Sequence, residues 1–278
     1  MIIATVPVGA VDLSVAEAGR GGRPLLLVHG FTGAKEDFGD WLDALAAEGW
    51  WVVAPDLRGH GASAQPADEA SYSLATFAAD LWALVAGLGW DRFSLLGHSM
   101  GGMIAQELVL DRPDRIERLV LMDTNHGPAE GLDEATVALG VEVLRTQGLP
   151  ALLDLIDQLP AAPRSSAEER VRATRPGYAQ WSEAKVRACA PAMYAAMAVE
   201  LTTRPDRLAE LAELTVPTRV LVGAQDRDFL AASERMAEAI GPADLVVIVD
   251  AAHSPQIENP EAWWQAVAPW LAADLLVD

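Results

Sequence analysis

The feature that most constrains the fold is a serine set between glycines, where a buried strand meets a helix. The apolar run Phe93 to Leu96 is typical of a buried strand, and residues 103–108 have the composition of a helix. Between them lies Gly97-His98-Ser99-Met100-Gly101, the Gly-x-Ser-x-Gly pattern of a nucleophile elbow. A turn this sharp strains the backbone of the serine and leaves no room for a Cβ at either glycine. The pattern predicts that the Ser99 hydroxyl points away from the sheet, at the N-terminus of a helix.

Buried strands and helices alternate on both sides of this turn. This alternation predicts an α/β fold with a mostly parallel central sheet flanked by helices. We expect an antiparallel edge hairpin over residues 2–18, and further strands near residues 25–28, 50–54, 116–123, 218–223 and 245–249. We expect helices at 36–48, 74–88, 229–240 and from Asn259 onwards.

One long segment interrupts the alternation. Residues 126–214 contain helical stretches punctuated by proline and glycine, and no convincing strand. This predicts a core domain formed by residues 1–125 and 215–278, with a helical insertion at 126–214. A chain of 278 residues suits one such α/β domain with an insertion.

Charge and cysteine content exclude several classes of partner. The formal net charge is −20 and no basic patch offsets it, which argues against nucleic acid and anionic membrane surfaces. No apolar run is long enough for a membrane span and the N-terminus lacks a signal peptide pattern, so we expect a cytoplasmic protein. The single cysteine, Cys189, allows no intrachain disulfide, and we interpret it as a buried structural thiol. Formation of a homodimer is left open.

A serine hydroxyl needs an adjacent base and an acid that orients the base. Of the five histidines, His253 follows a strand at the carboxyl edge of the sheet, where ligand sites gather, so we predict that it is the base. His60 reads as structural, His98 is expected to point elsewhere, and His126 is an alternative pocket residue. Asp226 follows a strand and is the predicted acid, while Asp228 and Asp123 stay open as alternatives.

Five motifs, in order, carry a resemblance to a known family: His29-Gly30-Phe31, Asp56 to Gly61, Gly97 to Gly102, Gly223 to Asp226 and Ala252 to Pro260. On these the chain resembles the α/β-hydrolase fold superfamily from end to end, as a serine esterase-like member with a helical cap. The resemblance implies that residues 126–214 form the cap and that nucleophile, acid and histidine follow one another as Ser99, Asp226 and His253. It also implies that His29 shapes the oxyanion loop. The Phe31 N–H would then be a second oxyanion donor beside that of Met100, which elbow geometry predicts.

The predicted activity is that of a carboxylesterase acting on small to medium esters through an acyl-enzyme. Serine at the elbow argues against the dehalogenase and epoxide hydrolase branches, where relatives use aspartate. The insertion is rich in alanine, leucine and methionine, and although such residues more often pack helices, an apolar cap would suit an uncharged ester. The nearest alternatives are a C–C bond hydrolase of ring-cleavage products and a lactone hydrolase on the same residues. Less favoured are a proline iminopeptidase-type peptidase, a perhydrolase and a non-catalytic ligand receptor.

Neither a metal motif nor a Gly-x-Gly-x-x-Gly loop occurs, so we expect no metal and no cofactor. The expected partner is a small-molecule ester.

Overall fold

The computed structural model describes residues 1–129, 134–159 and 163–273. Parts of two predicted regions lie outside the described residues, namely 130–133 and 160–162 of the insertion and 274–278 of the core. No helix in the described ranges is long and apolar enough to cross a bilayer.

An eight-stranded sheet forms the centre of the molecule. Its strands, β1 to β8 in chain order, are Ile2–Val8, Val11–Ala18, Arg23–Val28, Trp50–Pro55, Phe93–His98, Ile116–Met122, Thr218–Gly223 and Ala243–Ile248. Their order across the sheet is β1-β2-β4-β3-β5-β6-β7-β8. Strand β2 is antiparallel to both of its neighbours, β1 and β4, and all other neighbouring strands are parallel. The mostly parallel sheet and its edge hairpin are therefore confirmed.

The central strands are largely apolar because both faces of the sheet are covered. Successive residues of β3 show this: Leu25 and Leu27 belong to one buried cluster, Leu26 and Val28 to the other. Side chains alternate between faces along a strand, so a strand buried on both faces is apolar at nearly every position.

The helices are α1 to α12 in chain order: Leu42–Ala47, Leu74–Gly87, Met100–Asp111, Glu134–Gln147, Leu149–Gln158, Ser166–Thr174, Tyr178–Arg187, Pro191–Thr203, Leu208–Leu211, Arg227–Ala239, Pro255–Glu258 and Pro260–Ala272.

Helix starts follow the capping residues in the sequence. The Ser73 hydroxyl accepts a hydrogen bond from the Thr76 N–H at the start of α2, and the Asn259 side chain accepts from the Ala262 N–H at the start of α12. The expected single helix over 36–48 is wrong. A 3₁₀ turn, Lys35–Phe38, comes first and α1 begins only at Leu42. The Asp37 carboxylate accepts a hydrogen bond from the Ala34 N–H at the start of this 3₁₀ turn, and Gly39 follows the end of the turn. The turn therefore ends before α1 and is not extended into one long helix.

Helices α4 to α9 lie between β6 and β7, in the segment that the sequence predicts to be a helical insertion. Their apolar residues mostly pack among themselves and against the core. Met193 and Met197 are buried in the same cluster as the helices on one face of the sheet, and Leu152 belongs to a small cluster within the insertion.

Candidate functional site

The predicted turn around Ser99 is confirmed as a strained strand-to-helix junction. Strand β5 ends at His98, α3 begins at Met100, and Ser99 between them has φ 55° and ψ −120°. A Cβ at Gly97 would lie 2.2 Å from the Gly101 carbonyl oxygen, and one at Gly101 would lie 2.3 Å from that of Val28. Only glycine fits at these two positions. The backbone therefore holds the Ser99 side chain at the carboxyl edge of the sheet.

The structure brings Ser99, His253 and Asp226 into one hydrogen-bonded chain. The Ser99 Oγ lies 3.0 Å from His253 Nε2, and His253 Nδ1 lies 2.7 Å from Asp226 Oδ2. These residues come from three different loops, after β5, β8 and β7. The arrangement can transfer a proton from the serine to the imidazole while the carboxylate stabilises the charge that forms on the ring. Asp228, the alternative acid two residues on, is exposed to solvent.

Backbone hydrogen bonds fix the loops that carry the histidine and the acid. The Gln225 N–H donates to the Ala251 carbonyl over 2.8 Å, which ties one loop to the other. The Glu258 carboxylate accepts from the N–H groups on both sides of the histidine, at 2.5 Å from Ala252 and 3.3 Å from Ser254. Burial raises the pKa of Glu258. Glu258 therefore supports the turn that carries His253.

Asp123, the other alternative acid, lies beside the predicted one. It directly follows β6 in a left-handed conformation, with φ 45°, and is completely buried. Its Oδ1 accepts from the Gly223 N–H over 2.8 Å, while no hydrogen-bond donor to its Oδ2 is found in the described part of the chain. Burial raises the pKa of Asp123 well above its usual range, and the nearby Asp226 carboxylate raises it further. Burial and the neighbouring Asp226 carboxylate therefore both favour the protonated form of Asp123.

Asp123, Asp226 and His253 each offer a ligand atom within 4.8 Å of the others, which is a donor set that metals use. Both ring nitrogens of His253 are already engaged, one by Ser99 and one by Asp226. This geometry suits proton transfer along hydrogen bonds better than metal coordination.

Two backbone N–H groups are available near Ser99. Those of Phe31 and Met100 have no hydrogen-bond acceptor among the described residues. The loop carrying Phe31 is very close to Ser99, since a Cβ on Gly30 would lie 3.4 Å from Ser99 Oγ. Unpaired donors at this position can stabilise negative charge on a bound carbonyl oxygen.

His29 holds the loop that carries Phe31. Its Nε2 accepts from the Leu57 N–H over 3.1 Å, so its Nδ1 carries the proton and donates to the Gly30 carbonyl over 2.8 Å. Burial lowers the pKa of His29 and keeps the ring neutral. The ring of His60, also buried, packs 4.9 Å away, centroid to centroid. Both rings therefore have structural contacts.

The expectation that His98 points elsewhere is wrong. Its Nε2 lies 2.5 Å from the His253 carbonyl oxygen, and the two ring centroids are 5.0 Å apart. Burial, reinforced by His253, lowers the pKa of His98 far below its usual range, so the neutral ring donates Nε2–H to that carbonyl. No single-residue pattern in the sequence reveals this contact.

His126 lies apart from the site and pairs with Asp206 and Arg235.

A cavity of about 210 Å³ opens in front of Ser99. One side is formed by the loops of the sheet, and the other by helix α7 of the insertion, through Tyr178, Ser182, Lys185 and Val186. Met193, Met197 and Leu152 of the insertion are used in helix packing, as the sequence favours, and α7 presents mostly polar side chains to the cavity. Lys185 forms an ion pair with Asp37, which also lines the cavity.

Comparison with known proteins identifies relatives across the whole chain. The sequence model of a family described as the alpha/beta hydrolase fold matches residues 23–260. An enol-lactonase from Burkholderia xenovorans LB400 has a similar structure, with 25% identity, a TM-score of 0.81, and coverage of 96% of this chain and 99% of that one. A thermophilic esterase from Thermogutta terrifontis is 30% identical, with a TM-score of 0.78 and coverage of 98% and 99%.

Similarity to curated sequences is more local. A human serine hydrolase-like protein is 37% identical over 103 residues, which are 37% of this chain and 50% of that protein. The chain thus spans half, or less, of the length of the curated relatives it matches first.

Proposed function

Because this chain belongs to the alpha/beta hydrolase fold family, we propose that it is a serine hydrolase that cleaves carboxylic esters through an acyl-enzyme. The observation that carries the proposal is the hydrogen-bonded chain from Ser99 through His253 to Asp226, at 3.0 and 2.7 Å. A nucleophile, a base and an orienting acid in this order are what acyl transfer to a serine requires. Residues 126–214 act as a cap that closes the cavity.

The reaction begins when His253 Nε2 takes the proton of Ser99 and Oγ attacks the ester carbonyl carbon. Negative charge then develops on the carbonyl oxygen, where the N–H groups of Phe31 and Met100 stabilise it. Collapse of this intermediate breaks the ester bond, and the imidazolium gives its proton to the departing alcohol. Water, deprotonated by the same imidazole, attacks the acyl-enzyme. The acyl–Oγ bond then breaks, the imidazolium returns the proton to the Ser99 oxygen, and the acid is released. Asp226 stabilises the imidazolium in both halves of the reaction.

A lactone hydrolase is the second candidate. The similarity to an enol-lactonase over nearly the whole chain favours it, and the chemistry is the same, since a lactone is a cyclic ester. A cavity of about 210 Å³ suits compact substrates of either kind.

The test is hydrolysis of p-nitrophenyl esters from acetate to decanoate by the wild type and by Ser99→Ala. We expect turnover with short esters, and a loss of about 10⁴-fold or more in Ser99→Ala, because removal of the nucleophile removes covalent catalysis. Ser94→Ala is the matched control, since Ser94 is buried on β5, the strand that leads to Ser99, and its hydroxyl has no hydrogen-bond partner in the described ranges.

Turnover that survives in Ser99→Ala would contradict the mechanism. A wild type that reacts covalently with a fluorophosphonate at Ser99 but hydrolyses none of these esters would instead favour the lactone hydrolase.

A further inference from the structure

Helix α7 presents a row of polar side chains to the cavity. Tyr178, Ser182 and Lys185 are spaced four and three residues apart, which places them on one face of the helix, and all three line the cavity together with Ser99. The row stands across the cavity from the predicted catalytic residues.

The row contains a lysine, a residue type that is rare in this chain. Lysine occurs only twice in a sequence with a formal net charge of −20, and the other lysine, Lys35, is buried against Asp56. The Lys185 ammonium lies 4.0 Å above the Trp181 ring centroid and pairs with Asp37, yet 16% of its side chain stays accessible. An ammonium has three N–H donors, so this ion pair does not saturate it.

The two hydroxyl groups in the row are free to bind a ligand. Those of Tyr178 and Ser182 have no hydrogen-bond partner in the part of the chain that the structure describes. Burial, helped by nearby carboxylates, raises the pKa of Tyr178 to about 12, so it stays a neutral donor. Three donors on one wall, one of them charged, match the oxygen atoms of a carboxylate.

Asp37 is the carboxylate that competes for the ammonium. Its Oδ2 also accepts from the Ala34 N–H over 3.2 Å, so Asp37 keeps a donor of its own when Lys185 is shared with a ligand. A second carboxylate can therefore join the ion pair without leaving Asp37 unpaired.

We propose that this row binds a free carboxylate of the substrate, so that the enzyme acts on small esters or lactones that carry an acid group away from the scissile bond. The proposal rests on the proposed function and narrows it to anionic substrates. Lys185 is then a specificity-determining residue.

The experiment compares substrates that differ only in a carboxylate replacing a methyl group. Monoethyl succinate is compared with ethyl butyrate for an acid on the acyl side, and 3-acetoxypropanoate with propyl acetate for an acid on the alcohol side. Acid release is followed by pH-stat, with Ser99→Ala as the blank. We expect the wild type to favour the anionic member of at least one pair by tenfold or more in kcat/KM.

In Lys185→Met that preference should fall at least tenfold, and Lys185→Arg should restore part of it. Arg187→Met is the matched control, because Arg187 lies on the same helix but is exposed and paired with Glu183. The double variant Lys185→Met, Asp37→Asn removes both charges, so it tests the same loss without leaving a buried carboxylate unpaired.

The two proposals fail in different ways. Serine-dependent hydrolysis of the neutral esters, with no anionic preference or with one that Lys185→Met leaves intact, would overturn the carboxylate site and keep the esterase. Absence of hydrolysis of all four esters by the wild type, as in Ser99→Ala, would overturn the esterase proposal and, with it, the carboxylate site for esters.

Discussion

The two walls of the cavity are built by different physical means. On the sheet side, Ser99, Asp226 and His253 lie on loops held by backbone hydrogen bonds, by close backbone packing at Gly97 and by Glu258. On the α7 side, Lys185 is held by an ion pair and by an aromatic ring. The comparison teaches that the proposed chemistry rests on rigid strand ends, whereas substrate choice rests on side chains that can change without altering the sheet.

The largest effect that would test this division is expected from Asp226→Asn. The amide keeps the shape of the side chain but cannot stabilise an imidazolium, so kcat should fall about 10⁴-fold with little change in stability. The matched control is Asp228→Asn, two residues on and exposed. Steady-state kinetics with a short p-nitrophenyl ester measures both. Equal losses in the two variants would contradict the assignment of Asp226.

Rigidity of the sheet wall is tested by Gly97→Ala. The new methyl group would overlap the Gly101 carbonyl oxygen at 2.2 Å, so we expect a loss of about 3 kcal/mol or more in the free energy of unfolding. Gly87→Ala is the control: apart from its own helix, no atom of the described residues lies within 4 Å of its added Cβ, and alanine favours the helix by ~0.5–1 kcal/mol. Urea unfolding compares the two. A Gly97→Ala variant as stable as the wild type would show that the elbow can relax.

Asp123 is buried beside Asp226 on the sheet side of the cavity. Its carboxyl makes the folding stability of the protein depend on pH. Because burial and Asp226 raise its pKa in the folded state, the native protein keeps a proton that the unfolded chain loses above an ordinary aspartate pKa of about 3.9. The stability contributed by this proton is therefore lost as pH rises from there towards the raised folded pKa.

Asp123→Asn cannot ionise and still offers an oxygen to the Gly223 N–H, so its Tm advantage over the wild type should grow by a few degrees as pH rises. Thermal unfolding at about pH 5 and about pH 8 measures it. Asp91→Asn, at a carboxylate that is 97% exposed, is the control. An advantage that shrinks with rising pH would show that Asp123 is ionised.

The smallest effect is expected on the α7 wall. Tyr178→Phe removes one neutral hydrogen bond to the substrate, worth about 0.5–1.5 kcal/mol, so KM for the preferred anionic ester should rise roughly two- to tenfold. Tyr72→Phe is the control, because that hydroxyl donates to the Pro66 carbonyl outside the cavity. A fall in kcat with unchanged KM would show instead that Tyr178 acts in the chemical step and not in substrate binding.

The same contrast explains what could be predicted from the sequence. Ser99, Asp226 and His253 each follow an apolar run that reads as a strand, and the ends of parallel strands meet at one edge of a sheet. Local sequence patterns therefore suffice to predict that these three residues lie close together. Their proximity follows from the sequence, and their catalytic roles stay predictions.

The α7 wall could not be predicted in this way. Lys185 faces the cavity only because α7 packs across the loop of Asp37, a contact between residues 148 positions apart. The prediction for His98 failed for a similar reason, since its hydrogen-bond partner is a backbone carbonyl on another loop. Helical spacing shows which residues share a face, but the direction of that face depends on packing against distant parts of the chain.

The single thiol next to α7 gives the protein a built-in probe of local opening. Cys189 is buried just beyond α7, its Sγ lies 3.4 Å from the Lys185 carbonyl, and burial raises its pKa to about 12. A disulfide reagent reacts only with an exposed thiolate. In the native protein the rate of modification therefore measures how often the region around Cys189 opens to solvent. Since the chain has no second cysteine, that rate needs no engineered label and no correction for a competing thiol.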